Sequence, residues 1–258
     1  MTLGPVEEEL AKASAAYRNR GRWGEDDVLG TLNFVDDAIR AHAASLVRRG
    51  RTFSLARRTD RSGARAATRW QGLGHGHDTG QALHGACTGR GVLLDVGRAV
   101  GDARGELPDG FAILEEHLRD TVEAQGATSS VRRGDLVLVR TGQPGRVRRL
   151  GAGDASGAGD APGLSFTTLG WLHRTEIAAV AADTWGVEVR PHEFAEPVSS
   201  PLHRIAIAHM GLPLGEMWDL EALAADCAAD GVYEFLLVAA PLPVTGATGA
   251  PVNPIAVK

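Results

Sequence analysis

The chain has 258 residues, 43% of them hydrophobic, and a formal net charge of -5. That is enough apolar material for a core, in one large domain or two small ones. There is no excess of basic residues to bind nucleic acid, and no run nears the roughly 20 apolar residues of a membrane span. The N-terminal stretch MTLGPVEEELAKASAAYRNRGRWGEDD is polar and acidic, unlike a secretory leader, so the expectation is a cytoplasmic protein. Cys87 and Cys227 are far apart and match no CxxC motif. They read as small buried hydrophobes rather than a disulfide framework.

Residues 6–17 have the spacing of a short amphipathic helix, with Val6, Leu10 and Ala13 on one side. A loop with an exposed-looking Trp23 follows. Residues 36–49 read as a helix with Asp36 as N-cap and Gly50 as stop, and Thr52 to Ala56 as a short strand. The segment 57–88 has little apolar periodicity and many glycines, so it reads as loop. It also holds His75, His77, Asp78 and His84, four candidate ligands or proton carriers within ten residues.

Further on, the pattern predicts a buried strand at Val92 to Val96 and a helix at 111–125. It predicts a strand at Leu136 to Arg140, a loop or flap over 143–163 and a helix from Thr167 to Arg174. Ile177 to Ala182 reads as a buried strand that ends at Asp183, Thr184 and Trp185, where α/β folds place ligand sites. A helix over 201–209 carries His203. A strand, a turn with Glu216 and a helix follow, then a strand at Phe235 to Ala239 and a proline-rich ending. Strands alternating with helices predict an α/β layered fold.

Several stretches together resemble the cyclase family, the group that includes kynurenine formamidases (arylformamidases) and isatin hydrolases. They are GRWGEDDVLGTLNF (21–34), RRGRTFSLARR (48–58), GRGVLLDV (89–96), RRGDLVLVRTG (132–142), WLHRTEIAAVAADTWGVEV (171–189) and the run from PLHR to the end (201–258). The resemblance implies one swivelling β/β/α domain over 1–258, a homodimer or homotetramer, and a small-molecule substrate.

It also implies a divalent-metal hydrolase site carried by His-x-x-x-His-x-Asp-x-x-x-His, completed by a later His and a later Glu. Such an ion polarises a carbonyl and makes hydroxide near neutral pH. By position, His203 stands for the later His, Glu216 for the later Glu, and Trp23 for a substrate-contacting aromatic. Asp183 and Trp185 are further candidates for the pocket.

This sequence departs from the pattern between residues 58 and 89. The interval is shortened, and GHGHDTGQALHG (74–85) is the nearest material. His75-x-His77-Asp78 with His84 has a different spacing, and no Thr-His-x-Asp occurs.

Three readings remain open. The first is metal-independent acid–base chemistry, such as dehydration, cyclisation or isomerisation of an aromatic or polyketide-like molecule in natural-product tailoring. Here His203, Glu216 and His84 move protons, and no cofactor is expected. The second is a zinc or manganese hydrolase of an aryl amide, ester or lactone, with the site rebuilt on His75, His77 and Asp78. The third is a non-catalytic binding subunit.

Overall fold

The computed structural model describes residues 3–57, 68–72, 87–150, 159–242, 244, 247 and 249–258. His75, His77, Asp78 and His84 lie outside these described residues.

Helix α1 (Val6–Ala16) buries Val6, Leu10 and Ala13, the three residues its spacing singles out. Helix α2 (Asp37–Ser45) starts where the Asp36 carboxylate accepts the Ile39 N–H, as an N-cap does. It stops at Leu46, short of the expected Arg49. Strand β1 (Thr52–Ser54) comes next.

The stretch expected to be loop contains strand β2 (Arg69–Gln71). It has no local signature, because both its hydrogen-bonded neighbours come from the last fifth of the chain. Strand β3 (Thr88–Leu94) begins four residues before the expected start and runs into α3 (Val96–Val100), capped by Asp95. The two-residue strand β4 (Ala112–Ile113) precedes α4 (Glu115–Gln125), which is shorter than the predicted helix.

Strand β5 (Leu136–Val139) falls where its pattern places it. Helix α5 (Gln143–Leu150) replaces the first part of the expected flap. Its apolar content is low, and ion pairs of Arg146 with Asp109, Arg148 with Asp219 and Arg149 with Glu106 tie it down. Strand β6 (Gly163–Leu164), helix α6 (Leu169–Arg174), strand β7 (Ala179–Ala182) and helix α7 (Pro201–Ile205) follow.

A π-helical turn, Ala206–Met210, extends α7. The remaining elements are β8 (Leu214–Glu216), α8 (Glu221–Asp230), β9 (Glu234–Val238), β10 (Gly249–Pro251) and β11 (Ile255–Val257). The proline-rich ending therefore supplies two strands. Pro251 is tolerated because β10 lies at a sheet edge, where a missing N–H breaks no ladder.

Nine strands form one sheet in the order β1-β11-β9-β3-β5-β7-β8-β2-β10. The centre from β3 to β8 is parallel, and the flanks pair antiparallel. The sheet curls, and Ala56 just beyond β1 bridges Trp218 just beyond β8.

Alternation along the central strands sorts two cores. Val92, Leu94, Val137, Val139, Val180 and Ala182 face one side with α1 and α7. Leu93, Leu136, Leu138, Ala179 and Ala181 face the inside of the curl with Trp70, Trp218 and Phe235. At Gly91 a Cβ atom would lie 2.3 Å from the Phe235 ring, so only glycine lets β9 close on β3 there. Among the described residues no helix is long and apolar enough to cross a membrane.

Candidate active site

The site gathers at the carboxyl ends of parallel strands β7 and β8, where open α/β sheets bind ligands. In the antiparallel β2–β8 pair, Arg69 lies directly opposite Glu216. A strand turns every second side chain to the same face. Arg69 and Gln71 therefore share the face of Glu216, while Trp70 turns into the core against Trp218, 4.9 Å away.

Glu216 is 2% exposed, and its Oε2 accepts from Arg69 Nε at 2.6 Å and from Gln71 Nε2 at 2.7 Å. Its Oε1 lies 3.2 Å from His203 Nε2. The other ring nitrogen, His203 Nδ1, is 2.6 Å from Glu188 Oε1. The second oxygen of Glu188 accepts the Leu202 N–H at 2.9 Å. Glu188 thus caps α7, whose N-cap residue Ser200 makes no side-chain cap, and the same contact fixes the height of His203.

Three residues beside this constellation hold left-handed backbone: Val187 (φ 56°), Ser200 (φ 48°) and Met217 (φ 61°). Non-glycine residues adopt it at a cost, and such strain concentrates at functional sites.

Imidazole between two carboxylates settles its own charge. Burial by itself lowers the His203 pKa, but hydrogen bonds and attraction from Glu188 and Glu216 outweigh it and push it up to about 9. The imidazolium donates to both carboxylates at once, which a neutral ring cannot do. Burial likewise raises Glu216, and its bonds to His203, Arg69 and Gln71 outweigh that and hold it below the usual carboxylate range.

A pKa raised above the unfolded value of 6.5 means stability that is present below that pH and lost as pH climbs through about 9. The Tm of the wild type is therefore expected to fall between pH 6.5 and pH 9 by more than that of His203→Gln. Parallel pH–Tm curves would show that His203 does not titrate as its contacts require.

The constellation opens on a cleft of about 810 Å³. Arg69, Gln71, Trp185, Glu188, His203 and Glu216 all line it. Trp185 is half-buried, with the Arg69 guanidinium 4.1 Å from its ring centroid. His192 also lines the cleft, and its buried Nδ1 has no partner among the described residues.

Of the residues singled out by sequence, His203, Glu216 and Trp185 come together here. Asp183 does not reach the cleft. It is 1% exposed, and it accepts from the Thr141 N–H and hydroxyl and the Gly142 N–H, which ties β7 to the loop after β5. Trp23 packs edge-on against Phe34 at 5.2 Å, under Arg22, and is not among the residues lining the cleft. Arg69 and Gln71 carried no sequence signal, because their partner Glu216 lies 147 and 145 residues away.

The metal implied by the resemblance can be tested against these donors. Glu216 Oε2 already accepts from Arg69 and Gln71, its Oε1 faces His203 Nε2, and both His203 nitrogens face carboxylates. A guanidinium fixed on the carboxylate also repels a second cation. Among the described residues no group of three or more His, Cys, Asp or Glu is arranged to hold a metal. The described side chains do not fit the ion.

The chain matches the profile of the Cyclase family over residues 31–189, more than half its length. A crystal structure of a novel cyclase is 28% identical and superposes with a TM-score of 0.77, covering 94% of this chain and 100% of that one. Isatin hydrolase A from Ralstonia solanacearum shares the fold at 15% identity and TM-score 0.60, over 87% of this chain and 98% of that one. Isatin hydrolase A from Labrenzia aggregata, bound to benzyl benzoate, shares it at 18% identity and TM-score 0.55, over 80% and 82%. No curated protein sequence matches. The profile match, the fold and the placement of His203 and Glu216 at one cleft together make this chain an enzyme that belongs to the cyclase family.

Proposed function

We propose that this enzyme works by acid–base catalysis, dehydrating, cyclising or isomerising a small aromatic or polyketide-like molecule, as in natural-product tailoring. The observation that carries the reading is His203 clamped between Glu188 and Glu216 at the wall of the cleft. The imidazolium is a general acid whose proton is kept available well above neutral pH. In a dehydration it protonates the leaving hydroxyl, which departs as water. A carboxylate takes the proton from the neighbouring carbon, and the electrons of that C–H bond become the new double bond. In an isomerisation the same two groups give and take one proton each. Neither step needs an oxidant or reductant.

Glu216, ionised and lining the cleft, is suited to the base role, and Glu188 holds the imidazole ring. Trp185 offers an aromatic wall, and the cleft is of a size that takes a small-molecule ligand.

The test is turnover of two substrate panels, each with and without a chelator. One panel holds β-hydroxy-ketones and cyclisable aryl polyketide mimics. The other holds aryl amides, esters and lactones. Chelator-insensitive turnover of the first panel is the expected result. Hydrolysis confined to the second panel, and dependent on added zinc or manganese, would replace this reading with that of a metal-dependent hydrolase.

A further inference from the structure

Gln71 is set up as a hydrogen-bond acceptor. It lies on β2, which pairs on both sides, so that Gln71 stands opposite Leu214 of β8 and Gly249 of β10. A fixed strand rather than a loop therefore carries its half-buried side chain at the wall of the cleft. Its Nε2 donates to Glu216 Oε2 at 2.7 Å. An ionised carboxylate only accepts, so the amide must turn its nitrogen to Glu216 and its oxygen away. Among the described residues nothing donates to that Oε1.

His203 sits on the same carboxylate. Its Nε2 is 3.2 Å from Glu216 Oε1, a looser contact than the 2.6 Å between its Nδ1 and Glu188. Glu216 thus holds a neutral acceptor and a charged donor on its two oxygens, and all three side chains line the cleft. A substrate group that serves both must accept from the imidazolium and donate to the amide. A hydroxyl does both, whereas an ammonium cannot accept and an ether or carbonyl cannot donate.

We propose that Gln71 is the specificity-determining residue of this cleft, its Oε1 accepting from the hydroxyl of a neutral hydroxy-carbonyl substrate and turning a lone pair of that oxygen toward His203. This rests on the acid–base reading and names the substrate class for it. In the dehydration the proton passes from Nε2 to the hydroxyl oxygen, the C–O bond breaks, and water leaves with its own hydrogen still on Oε1. A carbonyl beside the neighbouring C–H makes that proton acidic enough for a carboxylate to take.

The probe is a phenyl ketone whose quaternary α-carbon carries a hydroxymethyl group. It has no α C–H and cannot eliminate water, so binding is read without turnover. Its partners are the deoxy analogue, tert-butyl phenyl ketone, and its own methyl ether. All three are titrated by quenching of tryptophan fluorescence, with Trp185 in the cleft as reporter. Wild type is expected to bind the alcohol about fivefold or more tighter than either partner, the worth of one neutral hydrogen bond. Gln71→Met keeps the length of the side chain and should bring the three affinities within about twofold. A structural loss would weaken all three alike and leave their ratios unchanged.

Equal binding of alcohol and deoxy ketone by the wild type would overturn the proposal, as would binding of none of the three. An ether that binds as well as the alcohol would overturn it too, because the oxygen would then be read as an acceptor only. So would a preference that survives in Gln71→Met. If that variant fails to fold, as judged by circular dichroism, the wild-type comparison still decides. Hydroxyl preference without any acid–base turnover of the hydroxy-ketone panel would sink the proposed function and leave the recognition site. Turnover without hydroxyl preference would do the reverse.

Discussion

Replacing His203 by Gln is expected to lower kcat/KM by about 10² to 10⁴, the usual contribution of a positioned general acid. Glutamine keeps hydrogen-bonding capacity toward Glu188 and Glu216 but cannot deliver a proton. The fold should hold, because Glu188 keeps its Leu202 N–H contact at the start of α7. The wild-type rate should fall as pH rises through about 9, because the pairs with both carboxylates keep the imidazole charged until then. Glu188→Gln should move that falling limb toward lower pH, since the closest anion at 2.6 Å is gone. The measurement is a pH–rate profile of the three proteins. A His203→Gln enzyme within threefold of wild type would remove His203 from the chemistry.

The second large effect concerns stability, far from the cleft. Arg90 on β3 is 1% exposed and joins three elements. Its Nε donates to Glu234 Oε2 at 2.8 Å, its Nη1 to Asp135 Oδ2 at 2.6 Å, and its Nη2 to the Ser130 carbonyl at 3.1 Å. Arg90→Ala leaves Asp135, itself 2% exposed, as a buried carboxylate without its cation. Breaking one partner of such a pair costs about 3–5 kcal/mol. For a chain of this size that lowers Tm by about 6–20 °C.

Burial already pushes Asp135 up to about 6 even with Arg90 beside it. In the variant it should rise further, and the destabilisation should shrink on acidification below pH 6, where the carboxyl can be neutral. Thermal melts at pH 5 and pH 8 check both statements. A loss under about 1 kcal/mol would mean that water reaches Asp135 when the guanidinium is removed.

Local chemistry along the chain was enough for much of the scaffold. The Asp36 cap, the Val6–Leu10–Ala13 stripe and the apolar runs of β5, β7 and β9 are written in neighbouring residues, because helix caps and amphipathic periods act over a few positions. The motif resemblance added the fold and pointed to His203 and Glu216. The limit came where an element is made by its partners. Arg69–Gln71 is three residues in a glycine-rich stretch and becomes a strand only between β8 and β10. Helix α5 is held by ion pairs to Asp109, Asp219 and Glu106, none of them local.

The same distinction governs the site. Sequence named a histidine and a glutamate, but it could not show that a second glutamate grips the far side of the ring. Nor could it show that an arginine and a glutamine hold one oxygen of Glu216 from the neighbouring strand. Asp183 sits at the end of a buried strand as expected. Yet backbone N–H groups from the loop after β5 reach it first, so it braces the sheet instead of the substrate. Side-chain identity is local information. Which charge meets which depends on strand register across about half of the chain, and only the folded sheet decides that.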